Sequence, residues 1–360
     1  MNAFEIIDGI LVKYYGEESD ITIPDGITAI DEYAFCECKN LHSIKIPEGV
    51  TYIGLCAFDS CKNLQSVTIP DSVKTIGDYA FYGCENLQSV VLGNGITSIG
   101  SDAFSWCEKL ADPNGLVIVG NILFDCFGTN AHIDIPNGVT RINDFAFSCC
   151  EHLRCITIPD SVTSIGEGAF ENCENLKDLI LPYGITSIGD RAFYQCANLQ
   201  SATIPNSVTS IGKEAFCGCS GLHSLTIPNS VTDIAESAFE NCKNLKSITL
   251  PDSVKSIGKK AFYGCLQLAK PNGMVIFQNI LFDYCGKESH INIPDGITVI
   301  GEGAFYDYEN LQSITIPDSI TAIESYAFFR CENLQSILGI SDSYAEIYAQ
   351  ENGIPFIKIY

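Results

Sequence analysis

The sequence predicts an α/β repeat solenoid: a horseshoe or right-handed coil with a parallel β-sheet on its concave face and short helical turns on its convex face. Two observations predict this fold. A 23-residue pattern recurs twelve times, and each copy combines two different apolar spacings. An alternating segment predicts a strand, and apolar residues three and four positions apart predict one inward face of a helical turn.

The repeat has the consensus Ile-Thr-Ile-Pro-Asp-Ser-Val-Thr-Ser-Ile-Gly-x-x-Ala-Phe-x-x-Cys-x-Asn-Leu-x-Ser. Repeat positions are counted from its first residue. All copies carry Ala-Phe at positions 14 and 15, so stacked repeats should place their phenylalanines in one spine. The twelve repeats start at Ile21, Ile44, Val67, Val90, Ile133, Ile156, Leu179, Ala202, Leu225, Ile248, Ile291 and Ile314.

The strand lies where one repeat meets the next. In Ser66-Val67-Thr68-Ile69, alternation directs Val67 and Ile69 inward and leaves Ser66 and Thr68 outward. The proline at position 4 then ends the strand. Glycine is the commonest residue at position 11, which predicts a positive φ there.

Two 20-residue insertions resemble each other and the N-terminus, because Ile10-Leu11, Ile122-Leu123 and Ile280-Leu281 coincide in an ungapped alignment. They predict one hairpin-like module used three times. After the last repeat we expect a helix from Ser341, its N-cap, to Gln350, and then an extended segment. The predicted domains are an N-terminal hairpin-like cap (1–20), repeats 1–4 (21–112), an inserted hairpin (113–132), repeats 5–10 (133–270), a second inserted hairpin (271–290), repeats 11–12 (291–336) and a C-terminal helix-and-strand cap (337–360).

The chain carries a net charge of −24. Such a surface repels phosphate backbones and anionic lipid, which argues against nucleic acid and membrane surfaces as partners. No apolar run reaches the roughly 18 residues of a membrane-spanning helix. We expect a cytoplasmic location if Met1 is the native start, and a cell-surface or secreted one if a leader was removed.

The 18 cysteines do not have the spacing of a zinc site. Eleven of them stand at position 18, on the inward face, where they should act as small buried apolar groups. The five histidines follow the repeat, and no catalytic motif stands out. We therefore predict no metal, no cofactor, no catalytic residue and no enzymatic activity.

The Ile-Thr-Ile-Pro-Asp-Ser-Val-Thr-Ser-Ile-Gly-x-x-Ala-Phe-x-x-Cys pattern resembles the BspA-like leucine-rich repeats over residues 21–336. That resemblance implies a leucine-rich-repeat solenoid. It also implies a role in binding or adhesion, with a host or cell-surface macromolecule as the kind of partner. The family shares no catalytic residues that could be carried over.

The candidate partner-binding surface is the outward row of hydroxyl side chains on the predicted sheet. Alternative surfaces are the aromatic residues of the turn segments, the inserted hairpins, and a group of lysines that includes Lys243, Lys259 and Lys260. We predict a monomeric protein-binding scaffold, with architectural self-assembly and carbohydrate binding as alternatives. The candidate residues are Ser66, Thr68, Ser89, Thr157, Ser201, Thr203, Ser224, Thr226, Ser247 and Thr249.

Overall fold

The computed structural model describes residues 3–359. The chain forms two compact halves. The N-terminal half comprises the residues up to Cys173 together with Pro182–Ile185, and the C-terminal half comprises Glu174–Leu181 together with the residues from Thr186 onward. Both halves are stacks of repeats joined through parallel strands, which confirms the repeat solenoid.

Each repeat boundary forms a three-residue strand, here called a front strand. In Ser66–Thr68 the central Val67 is buried and both neighbours are exposed, as the alternation predicts. Neighbouring front strands pair in parallel at a 23-residue offset, so Val67 lies beside Ile44 and Val90. The front strands are Asp20–Thr22, Ser43–Lys45, Ser66–Thr68, Ser89–Val91, His132–Asp134, Cys155–Thr157, Asp178–Ile180, Ser201–Thr203, Ser224–Thr226, Ser247–Thr249, His290–Asn292 and Ser313–Thr315.

A second parallel ladder, which the sequence did not predict, runs through repeat positions 9 and 10. Its two-residue side strands bury the isoleucine at position 10 in eleven of the twelve repeats, as with Ile53 and Ile76, which are paired. The side strands are Ala29–Ile30, Tyr52–Ile53, Thr75–Ile76, Ser98–Ile99, Arg141–Ile142, Ser164–Ile165, Ser187–Ile188, Ser210–Ile211, Asp233–Ile234, Ser256–Ile257, Val299–Ile300 and Ala322–Ile323.

Three antiparallel hairpins precede repeats 1, 5 and 11, and all three contain a register irregularity in the first strand. The second strand of each hairpin pairs in parallel with the next side strand, as Leu123 does with Ile142. Each hairpin therefore begins a new ladder of side strands. In chain order, the first hairpin is Phe4–Ile7 with Ile10–Tyr14, the second is Leu116–Val119 with Ile122–Cys126, and the third is Met274–Phe277 with Ile280–Tyr284.

The segment at positions 11 to 21 is not the helical turn that we predicted. It is a series of tight turns in which alternate amides bond to the next repeat, as when Phe58 N–H donates to the Ala80 carbonyl at 2.7 Å. Positions 13 and 17 have positive φ in all twelve repeats, for example 56° at Ser60. A left-handed residue breaks a helix. The remaining amides therefore close tight turns within the repeat, as when Asp59 N–H donates to the Cys56 carbonyl at 3.1 Å.

The glycine at position 11 was also misinterpreted, because no residue at that position has positive φ. Its role is clearance. A Cβ on Gly77 would lie 2.8 Å from the carbonyl carbon of Gly54 in the preceding repeat. Glycine is favoured there because a Cβ would crowd the backbone of the preceding repeat, although four repeats carry a side chain at this position: Asp31, Asn143, Ala235 and Glu324.

The core contains two ladders of identical side chains. Phe58 and Phe81 stack with ring centroids 4.9 Å apart and planes within 5°. The predicted spine is interrupted at the second hairpin, where Phe104 meets Phe124 edge-on at 5.5 Å. Beside the rings, the Cys84 thiol donates to the Phe58 carbonyl at 3.2 Å, and most position-18 cysteines repeat this bond.

The C-terminal end covers the last repeat. Ser336–Gly339 and Phe356–Lys358 extend the front ladder by two strands, and the helix Tyr344–Glu351 lies between them. The helix begins three residues after the predicted N-cap Ser341, because Asp342 has a φ of 63°. The two remaining elements are the short 3₁₀ turns Glu108–Leu110 and Leu266–Leu268.

Candidate functional site: the face of the front strands

In each of the two halves, the outward side chains of the front strands form what we call the front face. All ten predicted binding residues lie on it and are exposed. Parallel register aligns them in columns: Ser66 pairs with Ser89, and Thr226 pairs with Thr249. The strands that carry Ser66, Thr68 and Ser89 belong to the ladder of repeats 1–4, whereas Thr157 lies in a separate ladder that starts after the second hairpin.

Threonine recurs at repeat positions 2 and 8, and the hydroxyl groups at these two positions differ in their hydrogen bonding. At position 8, which lies beside the side strands, Thr209 Oγ1 donates to the Thr186 carbonyl at 3.1 Å, and Thr51 bonds to Thr28 in the same way. Within residues 3–359, the side chains of Thr226 and Thr249 on the front face make no such bond. Their hydroxyl groups are therefore exposed and uncommitted.

Some repeats replace the hydroxyl row with ionisable groups. His132 Nε2 lies 3.2 Å from Asp134 Oδ1. Hydrogen bonding from Thr157 and the nearby imidazole lower the pKa of Asp134. On the front strand that leads into repeat 11, His290 Nδ1 lies 2.7 Å from Ser313 Oγ. These groups make local polar clusters on the front face.

Apolar replacements on or beside the front face are a feature that our sequence analysis missed. Val91 and Ile180 stand at repeat position 2, where threonine is common, and their side chains are 58% and 70% exposed. Tyr183, at the turn after a front strand, is 78% exposed. Their departure from the consensus could have identified them from the sequence, because a repeat that needs only an outward polar residue would keep threonine.

The remaining chemistry-bearing residues stand mostly in structural positions. All 18 cysteines are free thiols, and burial raises the pKa of Cys107 and Cys173 to about 12, which keeps them protonated. Cys155 is exposed on the front face beside His132. Within residues 3–359, no group of three or more His, Cys, Asp or Glu side chains is arranged to hold a metal ion.

The alternative surfaces named from the sequence are partly occupied by contacts within the chain. Tyr306 stacks on Phe329 with centroids 5.5 Å apart. Lys259 and Lys260 form ion pairs with Glu324 and Glu302 at 2.8 and 3.1 Å. Over the described part of the chain, no helix is long and apolar enough to cross a membrane.

Parallel strands at a fixed offset and ladders of identical side chains define a repeat solenoid of the leucine-rich class. A family model described as a BspA type leucine rich repeat region in 6 copies matches residues 13–130, 110–223, 186–280 and 274–350. The chain belongs to this family, whose members are generally protein-interaction scaffolds.

Solved structures of other leucine-rich repeat proteins also resemble the chain. A leucine rich cell surface protein from Faecalibacterium prausnitzii A2-165 is 30% identical over 98% of this chain and 95% of that chain, with a TM-score of 0.47. A leucine-rich repeat protein from Bacteroides ovatus ATCC 8483 is 27% identical over 98% of this chain and 94% of that chain, with a TM-score of 0.46. No curated protein that was compared with the chain matches it.

Proposed function

We propose that the protein is a non-enzymatic binding scaffold that holds a partner protein on its front face. The observation that carries this proposal is the contrast between the two threonine rows. The position-8 hydroxyl groups bond to neighbouring repeats, whereas those of Thr226 and Thr249 are exposed and make no bond within residues 3–359. Thr226 and Thr249 lie side by side on paired strands, and their free donors and acceptors fit an extended partner segment.

The exposed apolar side chains on this face add to the argument. Hydroxyl groups give specificity, whereas the burial of exposed apolar side chains adds binding free energy. Val91 and Ile180 supply such side chains in the N-terminal and C-terminal halves respectively, at 58% and 70% exposure. Each would lose contact with water when a partner covers the front face of its own half.

The test introduces a bulky cation on the front face. Thr226→Arg blocks the row, and Glu332→Arg places the same side chain at an exposed site in a turn segment of the same half. Wild type and both variants are compared by surface plasmon resonance against a panel of purified host and bacterial surface proteins. A partner that binds Thr226→Arg at least tenfold more weakly, but binds Glu332→Arg normally, supports the proposal.

Two other results would redirect the assignment. Binding on a glycan array that is lost in Thr226→Arg would favour the carbohydrate-binding alternative over a protein partner. A mass that rises with protein concentration in analytical ultracentrifugation would favour self-assembly. If every partner binds both variants equally well, the front face is not the binding surface.

A further inference from the structure

A pocket of about 390 Å³ lies at the second hairpin, on the side of the turn segments. This volume is within the usual range for ligand sites. Its aromatic walls include Phe145 and Trp106, the single tryptophan of the chain, which are 42% and 54% exposed. Three carboxylates, those of Asp102, Asp125 and Asp144, also line it.

The donors that hold these carboxylates are neutral. Asp102 Oδ1 accepts from Ser105 Oγ at 2.8 Å and from Asn143 Nδ2 at 3.4 Å. The amides of Trp106 and Cys126 donate to the two oxygens of Asp125 at 3.0 and 2.8 Å. Such bonds orient the carboxylates without cancelling their charge.

The Asp144 carboxylate is also held by a neutral donor. The nearby guanidinium of Arg141 does not line the pocket. Asp144 Oδ1 accepts the Glu167 amide at 2.9 Å. The Arg141 guanidinium donates instead to Asn143 Oδ1 at 3.0 Å. Burial and the nearby Asp144 carboxylate raise the pKa of Asp102, while hydrogen bonding from Ser105 and, more weakly, the charge of Arg141 oppose the rise.

The third hairpin provides an internal comparison at equivalent residues, 158 positions later. Lys260 replaces Asp102 and Glu302 replaces Asp144, and these two side chains form an ion pair with Nζ and Oε1 3.1 Å apart. Gly303 replaces Phe145. At that hairpin the chain supplies its own cation to the acidic group, whereas at the second hairpin a carboxylate occupies the same place.

We propose that the pocket at the second hairpin binds the lysine or arginine side chain of a basic peptide segment in a partner protein. The carboxylates attract the charged end, and Trp106 and Phe145 contact its methylene chain and offer ring faces to the cation. A metal ion fits the site less well, because the carboxylates are not arranged as ligands.

The experiment measures the binding of acetyl-tetralysine-amide to the full chain by calorimetry, with Trp106 emission as a second readout. Asp102→Lys copies the third hairpin and should weaken binding at least tenfold, since it removes one attractive charge and adds a repulsive one. The control Asp160→Lys makes the same charge change at an exposed turn residue. It should change the affinity less than twofold.

A second variant keeps the test valid if Asp102→Lys fails to fold. Phe145 has a φ of 55°, so Phe145→Gly removes the ring at a position that tolerates glycine. It preserves all three carboxylates and should weaken binding about threefold to thirtyfold, as loss of a cation–π contact predicts. Circular dichroism verifies the fold of each variant.

Three results would overturn the proposal. Equal weakening by Asp102→Lys and Asp160→Lys would reduce the interaction to general attraction by a chain of net charge −24. An absence of saturable heat or emission change up to millimolar peptide would leave the pocket without this ligand. Tetramethylammonium that binds as tightly as the peptide would identify a small organic cation instead.

Discussion

The phenylalanine ladder yields a prediction whose size follows from the structure. Phe81 is fully buried, and its ring stacks between those of Phe58 at 4.9 Å and Phe104 at 5.1 Å. A buried phenylalanine removes about 150–250 Å² from water, worth about 4–6 kcal/mol at 25 cal/mol per Å². Because part of this contribution remains with alanine, Phe81→Ala should lower the free energy of unfolding by about 3–5 kcal/mol.

Two further variants separate stacking from burial. Phe81→Leu keeps most of the apolar volume and loses two ring contacts, so it should cost about 1–3 kcal/mol. Tyr79 lies in the same repeat, is 40% exposed and contacts Tyr82 edge-on at 5.6 Å. Tyr79→Ala should cost only about 1 kcal/mol.

The assay is urea unfolding of the full chain. Far-UV circular dichroism follows both halves, whereas emission from Trp106 follows the N-terminal half because it is the only tryptophan. Repeat stacks can unfold locally, so the loss for Phe81→Ala should be clearest in the emission transition. If Phe81→Ala is no less stable than Tyr79→Ala, the ladder does not carry the stability assigned to it.

Three other expectations follow from contacts described above. Gly77→Ala should destabilise the fold by about 1–3 kcal/mol in urea, because its Cβ would lie 2.8 Å from the backbone of Gly54; a neutral effect would disprove the clearance argument. Burial raises the pKa of Asp102, so the folded state binds the proton of this carboxyl group more tightly than the unfolded state does. The free energy of unfolding should therefore fall as the pH rises above about 3.9, the usual pKa of Asp. Unfolding curves between pH 4 and 7 should have a weaker slope for Asp102→Asn, and an unchanged slope would contradict the assignment. Iodoacetamide should label Cys155 in the native protein and Cys219 only after unfolding, since the first thiol is exposed and the second buried; mass spectrometry that finds equal labelling would exclude this burial pattern.

The front strands were predictable because their residues alternate. Ser66, Val67 and Thr68 leave one assignment of inward and outward sides, and the structure adopts it. The side strands were not predictable from alternation. They contain two residues each, as in Thr75–Ile76, and such a strand is defined by its pairing with other repeats rather than by any local pattern.

The turn segments show where apolar spacing is ambiguous. Ala80, Phe81 and Cys84 are all buried, and the same spacing suits one face of a helix. The discriminating fact is the direction of the amides: Phe81 N–H donates to Ala103 of the next repeat at 2.8 Å. The positive φ at position 17 could have been predicted from residues such as Gly83, which tolerate it. Tyrosine at position 13 gave no such indication.

The acidic pocket could not have been found from a motif, because its carboxylates come from separate segments. Asp102, Asp125 and Asp144 belong to repeat 4, the hairpin and repeat 5 respectively. When the alignment of the two inserted hairpins is extended into the repeats that precede them, Lys260 stands where the earlier repeat has Asp102. The significance of this difference is visible only in the structure, in which Lys260 forms an ion pair with Glu302.

The hairpins also explain why a pocket forms where it does. Within regular repeats the position-17 amide donates to a carbonyl of the next repeat, as Gly83 does to Ser105 at 3.0 Å. At the inserted hairpins that carbonyl is replaced by a carboxylate: Asp125 accepts the amide of Trp106, and Asp283 accepts that of Gly264 at 2.8 Å. At both inserted hairpins an acidic side chain therefore takes the place of a main-chain oxygen. At the second hairpin, the interrupted ladder leaves a carboxylate beside an open pocket. An inserted hairpin can therefore create a local site that the regular repeats do not have.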